Sequence, residues 1–257
     1  MIPTLTADPR WARLLDALEH RHLADLTFPE VSRALRALSS CYVERRSRLA
    51  GGGALDGAGK RAAFALFYAP LHALTTQVIV EALAARLPAG CTIVDLGCGT
   101  GTAGAAWAFG CGAPAALLGV DRSSWAVAEA RWTWQSLGLH GRAVRADLAD
   151  VRLPRGPVAA LAAFAVNELS RVSRDALRDR LLALAAGRHA VLIIEPIARG
   201  AAPWWREWTE RFQGVGGRVD AWRVRVPLPS IVSRLDHAAG LDHRELTARS
   251  IYVPLKN

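Results

Sequence analysis

An apolar run, TIVDL at 92–96, carries Asp95 near its end and opens into Gly97, Gly99 and Gly101 ahead of a small-residue helix. Glycines at that spacing let the backbone turn sharply off a strand. They also let a ligand lie directly against the main chain at a helix N-terminus. Twenty residues past Gly101, a second apolar run ends in Asp121. A carboxylate there can accept hydrogen bonds from both hydroxyls of a ribose. A third run ends in Asp147, within reach of an adenine edge in a fold of this kind. A fourth leads into Asn167 and Glu168, which could orient a nucleophile or accept its proton. Equally, Asn167 could line a cofactor and Glu168 could cap the next helix. Strand, glycine loop, helix, strand, acid and further acid form an ordered constellation, more specific than a lone glycine motif.

Several other chemistries are excluded or weakened. Cys41, Cys91, Cys98 and Cys111 form no C-x-x-C pair and no pattern with histidine, so neither a zinc site nor a disulfide framework is expected, and no metal. No cysteine follows Cys111, which leaves no thiolate for cytosine C5 chemistry. GALDGAGKR at 53–61 imitates a phosphate loop. It has Ala54 where the first glycine belongs, Arg61 where a magnesium-binding hydroxyl belongs, and no preceding strand. Gly99-Thr-Gly101-Thr-Ala-Gly104 does match the dinucleotide fingerprint, with Asp121 at a suitable distance. An NAD-binding oxidoreductase is therefore an alternative.

The elements that must hold these residues alternate. TIVDL (92–96), ALLGV (116–120), AVRA (143–146), VAALAAFAV (158–166) and AVLIIE (190–195) read as buried parallel strands. Helical patterns lie near 102–109, 123–137, 173–186 and 203–212, and RVRVPL (223–228) and TARSIYVPL (247–255) supply two closing strands. This order implies an α/β fold with a doubly wound, mostly parallel Rossmann-like sheet. Residues 9–50 are helical in pattern, 50–59 form a glycine-rich break, and a third apolar helix spans roughly 61–87. We expect a helical N-terminal region, 1–88, covering the cleft of a domain at 89–257. The longest uncharged stretch, Leu96 to Val120, is long enough for a membrane span. Its glycines and Pro114 make it strand, loop, helix and strand instead, and no membrane is expected.

At the glycine loop the sequence resembles the class I S-adenosylmethionine-dependent methyltransferases, with a seven-stranded sheet and S-adenosylmethionine as the implied cofactor. The resemblance covers roughly 90–200. It implies that Asp95, Gly97, Gly99 and Gly101 hold the methionine end, that Asp121 holds the ribose, and that Asp147 and Leu148 flank the adenine. Asp95 also argues against NAD, because a carboxylate disfavours a pyrophosphate but not a cationic, amino-bearing ligand. Members that methylate exocyclic amines usually carry Asn/Asp-Pro-Pro-aromatic after the fourth strand, and this chain has no proline there. A narrower similarity links EVSRALRALSSCYVERR, AAFALFYAPLHALTTQVIVEAL, VDRSSWAVAEAR, AFAVNELS and LIIEPIARG to the ribosomal small-subunit methyltransferase-like family of mitochondria and bacteria. That family is associated with small-subunit assembly and commonly carries a cysteine cluster after the fifth strand. Here that region is PWWREWTERFQ, which rules the cluster out.

The chain has 257 residues, 51% hydrophobic and 21% charged, which describes a core-forming protein. Its charge of +9 is almost all arginine, since Lys60 and Lys256 are the only lysines. Such a balance suits ribosomal RNA or a small ribosomal subunit as partner; a small-molecule or protein acceptor stays open, and a GC-rich genome produces the same bias. The opening MIPTLTADPRWARLL lacks the order of a signal peptide, so a cytoplasmic setting is expected. Trp204, Trp205 and Trp208 could stack on a base beside Arg206 and Arg211, or form an apolar lid on the N-terminal helices, the reading preferred here. Tyr68 and His72, one helical turn apart, could face the cleft, although a buried structural role is the commoner one for such a histidine. Two functions follow: an active methyltransferase, or a non-catalytic S-adenosylmethionine-binding assembly factor.

Overall fold

The protein is described from a computed structural model. The described residues are 5, 8–44, 55–113, 115–148, 151–197, 204–243 and 245–256. Helices α1 (Pro9–His22), α2 (Phe28–Glu44), α3 (Ala58–Ala63) and α4 (Ala69–Ala82) come first, with a π-helical turn at Phe64–Tyr68 joining α3 to α4. Then follow β1 (Thr92–Leu96), α5 (Thr102–Gly110), β2 (Ala116–Asp121), α6 (Ser124–Ser136), β3 (Gly141–Arg145) and β4 (Val158–Ala163). The chain finishes with α7 (Arg171–Ala186), β5 (Ala190–Glu195), α8 (Trp204–Gly214), β6 (Arg218–Val224), α9 (Ser230–Ala239) and β7 (Leu246–Val253).

The seven strands make one sheet in the order β3-β2-β1-β4-β5-β7-β6. The first five neighbours run parallel, and β7 enters antiparallel between β5 and β6. The order reverses between β1 and β4, and in open α/β sheets that switch point opens a crevice outside the carboxyl ends of the strands. β4 and β5 are buried along their whole length, as strands covered on both faces must be. Ile93, Leu161 and Ile194 face a core shared with α1–α6 and α9. Val94, Ala160 and Ile193 face a second core built from α7 and α8.

Local chemistry sets the helix starts. Asp8 caps α1 by accepting from the Arg10 amide at 2.9 Å, with Pro9 at the first helical position. Ser170 caps α7 by accepting from the Ser173 amide at 3.1 Å. Buried Glu129 of α6 pins α1 down, taking Arg21 at 3.2 Å and His22 at 2.9 Å. The run Ala58–Ala82 is long and apolar enough to cross a membrane by length and composition, but 83% of its most apolar window lies inside the protein, as in a core helix.

Three boundaries and one helix differ from expectation. The predicted strand 158–166 stops at Ala163, because Phe164 adopts φ +59°, a left-handed conformation that ends a strand. The predicted strand 223–228 lies earlier, at Arg218–Val224, before Pro227 and Pro229 can interrupt the ladder. The third helix ends at Ala82 instead of 87. Helix α9, buried through Ile231, Val232, Leu235 and Ala239, was not anticipated although its spacing is helical. Residues 45–54 of the expected helix and glycine-rich break lie outside the described residues.

Candidate cofactor site

The loop after β1 is fastened to β2: Gly97 and Cys98 amides donate to the Val120 carbonyl at 2.8 and 3.1 Å. Gly97 sits at φ +77°, and a Cβ there would lie 2.5 Å from the Ala165 Cβ. Gly99, at φ +49°, donates its amide to Asp121 Oδ2 at 3.0 Å, while the Ser123 amide donates to Asp121 Oδ1 at 2.8 Å. Glycine loop and second-strand acid are thus one hydrogen-bonded unit.

The loop opens onto a cavity of about 810 Å³ at the carboxyl ends of β1, β2, β4 and β5. Asp95, Gly97, Gly99, Asp121, Leu148, Asn167 and Glu168, all expected from sequence, line it together. Gly101 and Asp147 are not among the lining residues. Gly101 instead makes room for an indole: a Cβ would lie 2.7 Å from Trp134 Nε1, which donates to the Gly101 carbonyl at 2.8 Å. At the position expected for Asp147, the wall carries Leu148, with Arg122, Ser123 and Arg145 nearby in the lining.

Sequence reasoning missed Glu195, which ends β5 and is fully buried. Its Oε1 accepts the Val166 and Asn167 amides at 2.8 and 3.3 Å, and its Oε2 accepts the Asn167 side-chain amide. Asn167 Oδ1 accepts Trp204 Nε1 at 3.1 Å. The signal was present, since an acid closing an apolar strand is what singled out Asp121. Phe164 was missed too; its ring stacks on His72 at 4.0 Å and 10°.

Asp95, Asp121, Glu168 and Glu195 bring four carboxylates to one cavity from the ends of four strands. Burial pushes Asp95 up to about 7; the Gly104 amide opposes this and the Asp121 charge adds to it. Burial, with the charges of Glu195 and Asp121, pushes Glu168 up to about 8 against the pull of Arg122. Burial alone pushes His72 down to about 3, so it is an uncharged ring in the wall. A group of carboxylates whose proton affinity is raised this way is stabilised by a cation. An ammonium and a sulfonium suit it, and half-buried Gly99 presents loop backbone to the cavity. The residues present therefore fit S-adenosylmethionine.

The dinucleotide fingerprint has a packing explanation. Its second glycine, Gly101, faces Trp134, and a Cβ on its third, Gly104, would lie 2.7 Å from Asp95 Oδ2. Both spaces are filled by protein, so these two glycines are accounted for by packing. The tryptophan lid is also corrected. Trp204 and Trp208 are buried in the core beneath α7 and α8, on the opposite face of the sheet from the N-terminal helices. There the two indoles meet at 4.8 Å, with Phe212 against Trp208 at 6.0 Å. Truncating Trp208 to alanine should cost about 3–5 kcal/mol, read by denaturant unfolding. Among the described residues no cluster could hold a metal ion. His22 pairs with Glu129 and His243 with Asp236.

Residues 93–186 match a protein family described as a methyltransferase domain. No curated protein matches the chain. In solved structures it is similar to an S-adenosylmethionine-dependent methyltransferase from Aquifex aeolicus, at 17% identity and TM-score 0.47, over 73% of this chain and 93% of that one. It is similar to one from Thiobacillus denitrificans in complex with S-adenosyl-L-homocysteine, at 16% identity and TM-score 0.46, over 71% and 91%. A third, from Geobacter sulfurreducens with the same ligand, gives 15% identity and TM-score 0.44 over 71% and 91%. The matched segment spans β1 to α7 and contains the glycine loop, Asp121 and Glu168. Over residues 93–186 the chain therefore matches a methyltransferase domain.

Proposed function

We propose that the protein is an active methyltransferase whose acceptor lies in RNA of the small ribosomal subunit, with Glu168 as the group that takes the acceptor's proton. One observation supports activity above mere cofactor sensing: Glu168 lines the same cavity as the glycine loop, with its carboxyl held near neutrality. A general base works best when its proton affinity lies close to the working pH. S-adenosylmethionine, when bound, supplies an electrophilic methyl group. The protein's share is to orient, exclude water and hold a proton: Asp121 to take the ribose hydroxyls, Gly97 and Gly99 to admit the methionine end, Asp95 to face its ammonium, and Leu148 to flank the adenine. Asn167 lines the cofactor and ties Glu168 to β5. The RNA acceptor is supported by the arginine-rich charge of +9 and by Arg61, Arg122 and Arg145 in the cavity wall.

The test is a calorimetric titration with S-adenosylmethionine, S-adenosylhomocysteine and NAD, followed by labelled-methyl transfer to purified small subunits across a salt series. Binding of the two adenosyl compounds and salt-sensitive labelling of RNA are expected. Binding of NAD alone overturns the assignment, and salt-indifferent labelling of protein overturns the RNA acceptor. Asp121→Ala should weaken S-adenosylmethionine by about 10- to 100-fold, since charge-assisted hydrogen bonds contribute about 1–3 kcal/mol. A folded variant with wild-type affinity would show that Asp121 does not hold the ribose.

A further inference from the structure

Three observations converge on the turn after β4. First, Val166–Glu168 is a single 3-10 turn, too short to fix its own side chains. Second, both amides at its start and the Asn167 side chain all end on one buried carboxylate, Glu195. Third, the other end of the Asn167 amide is taken by the Trp204 indole, which is buried on the far side of the sheet with Arg174 and Arg249 over its ring at 5.6 and 5.9 Å. Asn167 can donate and accept in only one orientation along this chain, so its amide is fixed. The next residue is Glu168, whose charge is felt by Glu195.

We infer that Glu195 is a positioning residue for methyl transfer: through Asn167, whose amide the Trp204 indole holds from its other end, it fixes the turn that presents Glu168 to the cavity. Its charge, at the end of the neighbouring strand, also acts on Glu168. This rests on the role of Glu168 proposed above. Glu195 itself touches neither ligand nor acceptor in this role. Both of its functions follow from place. It closes the strand adjacent to β4, so its carboxylate comes level with the turn, and burial keeps its field unscreened there. The charged groups facing Glu168 come from each surrounding element. They are Glu195 from β5, Asp121 from β2 and Arg122 just after it, with Asp95 from β1 behind Asp121. Arg174 of α7 faces Glu195, and Arg249 of β7 stands opposite it in register. Arg61, Arg145, Asp56, His243 and Glu245 share the cavity, and His72 there is uncharged near neutral pH. Of these, Glu195 is the largest like charge acting on Glu168, after burial itself.

The experiment follows the Glu168 carboxyl carbon by ¹³C NMR in side-chain-labelled protein without ligand, its resonance identified by loss in Glu168→Gln. In Glu195→Gln the Glu168 titration midpoint should fall by about one pH unit or more from its wild-type position near 8. Trp204→Phe removes the indole donor and keeps the charge. There the midpoint should stay and S-adenosylmethionine affinity should fall several-fold, because the Asn167 amide is no longer fixed. An unmoved midpoint in folded Glu195→Gln overturns the electrostatic half. Wild-type affinity in Trp204→Phe overturns the positioning half, also where Glu195→Gln does not fold. Because the NMR arm needs no cofactor, its failure is distinct from wild-type protein that binds neither adenosyl compound, which would overturn the proposed function.

Discussion

Gly97→Ala should weaken cofactor binding and lower methyl transfer by about 100-fold while leaving a folded, less stable protein. Two costs fall at one atom. The residue sits at φ +77°, where an L side chain costs about 1–2 kcal/mol. Its new Cβ would lie 2.5 Å from the Ala165 Cβ, and neither methyl has a rotamer in which to escape. Overpacking of that kind costs about 1–3 kcal/mol more. A melting temperature lower by roughly 5–15 °C follows for a chain of this size. The larger effect is functional, because the strain can relax only by pushing the β4 turn, and with it Asn167 and Glu168, away from the loop. A misplacement of about 1 Å there should lower methyl transfer by about 100-fold. Gly156→Ala is the control: it too has a positive φ, +91°, but nothing lies within 4 Å of its Cβ. It should lose stability from strain alone and bind S-adenosylmethionine normally. Adding Ala165→Gly to Gly97→Ala should recover the overpacking share and not the φ share. If Gly97→Ala keeps wild-type affinity, the loop is not the cradle assigned to it.

The ends of strands were the most legible part of the sequence. TIVDL, ALLGV and AVLIIE appear as buried strands because parallel strands covered on both faces must be apolar throughout, and a terminal acid then stands out. That rule placed Asp95 and Asp121 and would have placed Glu195 had it been applied to the fifth strand. What could not be read were distances through space. Gly101 belongs to the same glycine run as Gly97 and Gly99, yet its open face is spent on Trp134, which is thirty-three residues away in sequence. Asp147 was expected at a strand end like the others, but β3 ends at Arg145, which lines the cavity with Leu148, while Asp147 between them does not. The tryptophans misled for a related reason. Three indoles close together suggest a surface for stacking, and only the tertiary packing shows Trp208 without exposure beside Phe212. Phe164 had no sequence signal, since an aromatic residue in an apolar run predicts strand continuation, not a left-handed turn.

The ligand-free protein should lose stability as pH rises from about 4.5 to 8, and Asp95→Asn or Glu168→Gln should flatten that loss. Both carboxyls hold their protons more tightly folded than unfolded: Asp95 near 7 against an ordinary 3.8, and Glu168 near 8 against 4.5. Above the unfolded values the unfolded chain sheds these protons while the folded chain keeps them. Each unit of pH in that window therefore favours unfolding, by about 1.4 kcal/mol per fully coupled group. The penalty is complete once pH passes the folded values, and it is absent below about 4. Asp95, at 1% exposure, feels nearly all of it, whereas Glu168 is partly open to solvent and feels less. At pH 8 each variant should exceed wild type by on the order of 2–4 kcal/mol, and at pH 4 it should match it. The two gains should not add, because both carboxyls interact with Asp121. Denaturant unfolding of the three proteins at pH 4, 6 and 8 decides the matter: parallel pH profiles would show that burial does not bind these protons. The same measurement with S-adenosylmethionine present should show more stabilisation of wild type at pH 8 than at pH 6, since a cation in the cavity offsets the repulsion among its carboxylates. A destabilising set of acids at one end of a sheet, where two conservative amides would strengthen the fold, is what the positive ligand proposed above requires.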